Sequence, residues 1–145
     1  VGDVTHHALD GYAKAAARQL GPGTHCSITL RYRDRLTYVG SSDPRAERCD
    51  AAEVVAGEGP CITAMDELRG VLVPDMQVET RWPQWREAAR SVGFRSAAAL
   101  PAYVDDDTTL ALNMYSDALD PWDRERLIGM DSIIQEIAEA VRTRL

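Results

Sequence analysis

An α+β fold on a central antiparallel sheet is what this sequence predicts, and three observations predict it. Two pairs of apolar segments, at 26–40 and 94–116, each bend back across a short polar turn, as hairpins do. Helical apolar spacing marks both ends of the chain. No regular strand–helix–strand alternation lies between, which argues against a doubly wound parallel sheet.

Taken in order, residues 3–20, DVTHHALDGYAKAAARQL, set Val4, Leu9, Ala13, Ala16 and Leu20 near one helical face, and Gly21-Pro22 ends the run. In CSITLRY, Cys26, Ile28, Leu30 and Tyr32 point one way and Ser27, Thr29 and Arg31 the other, as in a half-buried strand. A turn at Asp34-Arg35 leads to a second strand at 36–40. Two short helices, around 50–56 and 60–69, precede a short strand at 71–75 that ends at its proline. A further helix starts near Pro83 and takes Gly93 as its C-cap. FRSAAALPAYV and TTLALNMYS flank the turn at 105–107 as the second hairpin. Asp120-Pro121 reads as an N-cap and first helical residue, with Leu127, Met130, Ile134, Ile137, Val141 and Leu145 following at helical spacing.

The 145 residues suit one domain, large enough to bury about two-thirds of the surface its unfolded form exposes. Sixteen basic against 23 acidic residues give a formal charge of −7, which opposes phosphate backbones and anionic lipid, so neither nucleic acid nor membrane is expected as a direct partner. Apolar stretches stop well short of the ~20 residues of a membrane span, and no basic-then-apolar leader opens the chain. Three cysteines without a CxxC pair suit a reducing compartment, and the cytoplasm is the expected location. A chain that opens on Val1 rather than methionine is compatible with a piece of something longer.

The stretch with most chemistry in it is Gly57-Glu58-Gly59-Pro60-Cys61. Proline suits the first position of a helix, which places Cys61 in a first turn whose free N–H groups and dipole favour a thiolate. Against reactivity stands packing, since free cysteine is among the most buried residue types and no general base adjoins this one in sequence. Packing is the expected first role. No phosphate loop and no GxSxG is present, and neither His6-His7 nor His25-Cys26 has metal-ligand spacing. The sequence therefore assigns no catalytic residue, no metal and no cofactor.

GEGPC at 57–61, VPD at 73–75, RWP at 81–83, GFRSAAALPAYV at 93–104 and LALNMYSDALDPWD at 110–123 resemble, in register over about 24–143, the GAF domains of actinobacterial regulators. Those domains are often joined to an ANTAR RNA-binding module. The resemblance implies a GAF-like, PAS-related fold over 1–145: a helix at 3–20, the sheet, lid and pocket over 24–116, and a C-terminal helix at 121–145. Terminal helices would pack on one face of the sheet and shorter helices would cover a pocket on the other. It also implies a non-enzymatic sensory domain that binds a small molecule and relays the signal through its terminal helices, in transcription or antitermination control. RNA would be reached only through a module beyond Leu145.

Candidate pocket residues are Cys61, Met65, Trp82, Trp85, Phe94, Ser96 and Tyr115, an aromatic and apolar set with a few polar groups suited to a small organic ligand. The alternative is a thiol redox sensor or an enzyme like the free methionine sulfoxide reductases. These are also GAF domains, with a cysteine-bearing helix start similar to Gly59-Pro60-Cys61. Their chemistry needs a second thiol beside an acid, where this chain has Arg95 and Ser96.

Assembly is a further expectation. Trp122, Leu127, Ile128, Met130, Ile133, Ile134, Ile137, Val141 and Leu145 cover more of the final helix than one stripe requires. One face would cover the sheet, and another, with Ile134, Ile137 and Val141 as candidates, would pair across a two-fold axis to form a homodimer through a four-helix bundle. GAF domains commonly dimerise in this way.

Overall fold

The chain folds in the order α1 Asp10–Leu20, β1 Thr24–Tyr32, β2 Arg35–Ser41, α2 Pro44–Ala56, α3 Pro60–Glu67, β3 Val71–Val73, α4 Pro83–Ser91, β4 Ser96–Asp105, β5 Thr108–Ser116 and α5 Arg124–Arg144. This is a computed structural model, and it describes residues 5–144. The strands form one sheet in the order β2-β1-β5-β4-β3, every neighbouring pair antiparallel. The two hairpins thus lie side by side. β5 is the central strand, with Leu112 opposite Ile28 on one side and Leu100 on the other.

The two-residue period of the strands sorts their side chains into two layers. Behind the sheet, β1 turns Cys26, Ile28 and Leu30, β5 turns Leu110, Leu112 and Met114, and β4 turns Ala98, Leu100, Ala102 and Val104 onto α1 and α5. Leu9, just before α1, and Ala13, Ala16 and Leu20 of α1 answer them, as do Met130, Ile134, Ile137, Ala138 and Val141 of α5. This layer is the main apolar core. The front layer is made by α2, α3 and α4.

Several boundaries differ from expectation. α1 starts at Asp10, seven residues later than the 3–20 reading. The Leu9 N–H is taken by Val39 O at 2.8 Å, which holds the preceding segment along β2. Val4 lies outside the described residues. β1 and β2 are offset by a bulge between Ile28 and Thr29, and just beside it Gly40 presses on the backbone of Leu9: a Cβ there would lie 2.7 Å from the Leu9 carbonyl oxygen. α2 starts well before residue 50, because Asp43 accepts the Ala46 N–H at 3.1 Å and Pro44 takes the first helical position. α4 is capped by Val92, and Gly93, at φ +90°, is the turn that follows. The cap of α5 is Asp123, whose carboxylate accepts the Arg126 N–H at 2.8 Å, rather than Asp120, whose own N–H is drawn to Pro74 O at 3.0 Å.

The proposed interface face of α5 is corrected as well. Ile134, Ile137 and Val141 are at most 1% exposed, inside the core behind the sheet. They share one helical stripe with Met130 and Ala138, and the sheet takes that stripe whole. The outward-facing apolar residue of the helix is Ile128, 56% exposed. Among the described residues, no helix is long and apolar enough to cross a membrane.

Candidate functional site

In front of the sheet the same alternation that buries Cys26 and Ile28 behind it presents Ser27, Thr29, Asn113 and Tyr115 to the covering helices, all of them buried. α2 meets them with Ala46, Cys49, Asp50 and Glu53, the i, i+3, i+4, i+7 face of that helix. A helix that buries two carboxyls on its inner stripe is unusual, because acidic residues are almost never fully buried unless paired.

The groups are joined by hydrogen bonds. Thr29 Oγ1 donates to Asp50 Oδ1 at 2.6 Å, and Asn113 Nδ2 donates to Thr29 Oγ1 at 2.8 Å and to Ser27 Oγ at 3.0 Å. Ser27 Oγ lies 3.2 Å from the Tyr115 hydroxyl. The set is incomplete. Asp50 Oδ2, Asn113 Oδ1 and Trp85 Nε1 are buried with no hydrogen-bond partner. Among the described residues, no lysine, arginine or histidine forms an ion pair with Asp50 or Glu53.

The GEGPC stretch closes this site. Gly57 ends α2 in the left-handed region at φ +69°, and Gly59, at φ +151°, leads into Pro60. The Cys61 N–H, free at the start of α3, is taken by Glu53 Oε2 at 2.8 Å. A Cβ on Gly59 would lie 2.1 Å from that same oxygen. The second glycine is thus the space in which the carboxyl sits.

Burial sets the protonation states. It raises the Asp50 carboxyl to about 7 in spite of the bond from Thr29, and raises Glu53 to about 8, with Asp50 adding repulsion. Burial pushes the Cys61 thiol well up, and the charges of Glu53 and Asp50 push the same way. The helix-start effect therefore loses to desolvation. Cys49 is pushed up to about 12 by burial, and Cys26 is raised by burial behind the sheet. All three thiols are free and buried. One ligand atom each from Asp50, Glu53 and Cys61 lies within 4.8 Å of the others, so these three could hold a metal ion.

Among the residues singled out by sequence, Cys61 and Met65 sit in the packed layer under α3 with Ala64, Val71, Ala99 and Ala111. Trp85, Phe94 and Tyr115 sit in a neighbouring layer with Cys49 and Met76, Phe94 stacked on Tyr115 at 4.9 Å between centroids. Trp82 is half-buried and meets Trp85 edge-on at 6.0 Å. Ser96 is buried with its hydroxyl spent on Ala118 O at 2.6 Å. Cys61 and Tyr115 border the polar cluster, and the others pack around them. Asp50, Glu53, Ser27, Thr29 and Asn113 are absent from the sequence-derived set. Their signals were the acidic residues at 50 and 53 in phase with Ala46 and Cys49, and a lone asparagine inside TLALNMYS.

The GAF domain family model matches residues 7–142. A comparison with curated proteins returns no match. Among solved structures, the chain is similar to the GAF domain region of a Geobacter sulfurreducens protein, with 19% identity, TM-score 0.69, and 93% of this chain and 91% of that one covered. A domain from Sinorhizobium meliloti, of a protein named as a two-component sensor histidine kinase, shares 14% identity at TM-score 0.73, with 94% of each chain covered. The type II free methionine-R-sulfoxide reductase of Thermoplasma acidophilum shares 15% identity at TM-score 0.68, with 92% of each chain covered. At these identities the likeness speaks for the fold alone. The family match over nearly the whole chain, on this five-stranded antiparallel sheet with helices on both faces, makes the chain a member of the GAF domain family.

Proposed function

We propose that the domain is a non-enzymatic regulatory sensor whose signal is read at the polar cluster beneath α2 and α3. The observation that carries this reading is the pair of buried carboxyls without a cation, beside the unpartnered Asp50 Oδ2 and Asn113 Oδ1. Buried polar groups left unpaired cost about 1–3 kcal/mol each, so a fold kept only for stability would fill this place with apolar side chains. A small ligand that donates hydrogen bonds or carries positive charge supplies what the site lacks. Ser27, Thr29, Asn113 and Tyr115 stand on β1 and β5, whose other faces touch α1 and α5, so a shift at the cluster has a direct path to the terminal helices. Transcription or antitermination control is the output that the likeness to actinobacterial regulators suggests. A homodimer through the outward faces of α1 and α5, where Tyr12 and Ile128 are exposed, fits the same relay.

The enzymatic alternative asks for an exposed thiol of low pKa, and the burial and raised pKa of Cys61 favour the sensor. Cys26 faces the opposite side of the sheet and is no resolving partner for it. The test pairs two assays on the purified chain. Thermal-shift screening with small amines, amino acids and metal ions should find a ligand whose stabilisation is lost in Asp50→Asn. Incubation with methionine sulfoxide and a thiol reductant should give no steady turnover, and turnover that Cys61→Ser abolishes would overturn the reading.

A further inference from the structure

We propose that Asp50, Glu53 and Cys61 form a binding site for one divalent transition-metal ion of the zinc class. This names the ligand of the sensing cluster and so rests on the reading above. Their ligand atoms lie within 4.8 Å of one another, all three residues buried. A tetrahedral site with bonds of about 2.0 Å to oxygen and about 2.3 Å to sulfur places its ligand atoms roughly 3.3–3.8 Å apart. The three groups therefore stand at most about 1.5 Å from coordination distance, a gap within the reach of side-chain rotation.

The second, independent observation is Asp50 Oδ2, wholly buried and without a hydrogen-bond partner, while Oδ1 of the same carboxyl is held by Thr29. Glu53 is held likewise, with Oε2 accepting the Cys61 N–H at 2.8 Å. Each carboxyl is thus oriented through one oxygen, the way outer hydrogen bonds orient metal ligands. Asn113 in turn braces Thr29. The chemistry of the donors selects the metal. A thiolate with two carboxylates suits zinc, cobalt or ferrous iron, whereas calcium and magnesium take all-oxygen sites. A divalent cation cancels two of the three negative charges that the thiolate and the two carboxylates carry as ligands, and among the described residues no side-chain cation pairs with either carboxylate.

Binding breaks the Cys61 S–H bond and the O–H bond of whichever carboxyl is protonated, forms one metal–sulfur and two metal–oxygen bonds, and releases the protons to solvent. No oxidation state changes. A water completes the fourth position.

The experiment titrates the full 145-residue chain, stripped with a chelator, with Co²⁺ and then Zn²⁺. The expected result is a thiolate-to-cobalt charge-transfer band that saturates at one equivalent and is bleached by Zn²⁺. Cys61→Ser should abolish the band, Asp50→Asn should weaken binding by more than the roughly 10–100-fold that loss of an outer partner costs, and Cys49→Ala should leave both unchanged. Circular dichroism of each metal-free variant checks folding. If a variant unfolds, metal-dependent slowing of Cys61 alkylation in the unaltered chain, measured in urea near the unfolding midpoint, replaces it. No saturable band in the unaltered chain, or a band that survives in folded Cys61→Ser, overturns the proposal. If cobalt and zinc fail while an organic ligand still stabilises the chain through Asp50, the metal assignment falls and the sensing site stands. If nothing stabilises it, both fall.

Discussion

The two faces of this sheet are built from the same strands and obey opposite rules. β1 sends Cys26, Ile28 and Leu30 backward and Ser27 and Thr29 forward, and β5 sends Leu110, Leu112 and Met114 backward and Asn113 and Tyr115 forward. Behind, α1 and α5 meet the strands with Ala, Leu, Ile, Val and Met side chains in the packed layer. In front, α2 meets them with Asp50 and Glu53. Both faces exclude water, so the difference is not between inside and outside. Burial of apolar surface, at about 25 cal/mol per Å², drives folding from behind, while the front sets desolvated polar groups against that gain. The larger apolar cluster lies behind the sheet, and the candidate site lies in front, set between two smaller ones.

The sharpest way to break this contrast is to move a charge to the wrong face. Ile134→Glu sets a carboxylate at the centre of the rear layer with no polar partner, and it should cost about 5 kcal/mol or more, comparable to the whole stability of a small domain. Circular dichroism should show a chain largely unfolded at 25 °C. A folded monomer would mean that the rear face tolerates charge as the front does.

On the front, Gly59→Ala should cost about 3 kcal/mol, from backbone strain at φ +151° and from displacement of Glu53 by the new methyl. Urea denaturation measures it. Gly129→Ala is the control, since nothing lies within 4 Å of its added Cβ. Equal effects at the two glycines would remove the link between the GEGPC turn and the carboxyl it encloses.

The smallest effect belongs to the rim. Asp117 lies 2.7 Å from the Arg45 guanidinium, and Asp43 lies 2.6 Å from His25 Nδ1. The Asp117 carboxyl is held below its ordinary value, chiefly by Arg45. The Asp43 carboxyl also ends below its ordinary value, because hydrogen bonds led by His25 outweigh the effect of its burial. Folded pKa values below the unfolded ones mean stability that is present above about pH 4 and is lost as pH falls through the folded values. Asp117→Asn should therefore cost at most about 1 kcal/mol at pH 7 and less at pH 2, since partly exposed pairs contribute little. Thermal unfolding at the two pH values reports it, and an equal loss at both would show that the pair acts by packing rather than charge.

Much of this was legible in the sequence. Both hairpins and the strand side of the rear core follow from period-two spacing of apolar residues, because on that side burial and apolarity coincide, and the helix at Pro60 follows from its proline. The front was harder for the same reason. Ser27 and Thr29 read as the outer face of a half-buried strand when in fact α2 covers them, and Asp50 and Glu53 are not singled out at all. Nothing local marks a buried acid, since its burial is imposed by tertiary packing. The outward face assigned to Ile134, Ile137 and Val141 failed because helical spacing tells which residues share a stripe and not which stripe meets the sheet. The stronger signal was Gly59, whose requirement traces to the Glu53 carboxyl six residues earlier in the chain.

The central claim is that the front cluster is kept for binding at a cost in stability, and the unfolding free energy of the Asp50→Asn/Glu53→Gln double variant tests it most directly. Both changes keep shape and an acceptor for Thr29 and Cys61 while removing the ionisable group. Burial raises the two folded-state carboxyls to about 7 and about 8, so the folded chain holds more protons than the unfolded one across pH 4 to 8 and loses stability as pH rises through that window. In chelator-treated samples at pH 8, the double variant should be more stable than the unaltered chain by about 2 kcal/mol, and the gain should shrink toward pH 5. A double variant less stable at pH 8 would mean that the carboxyls hold the fold together, and would contradict the account.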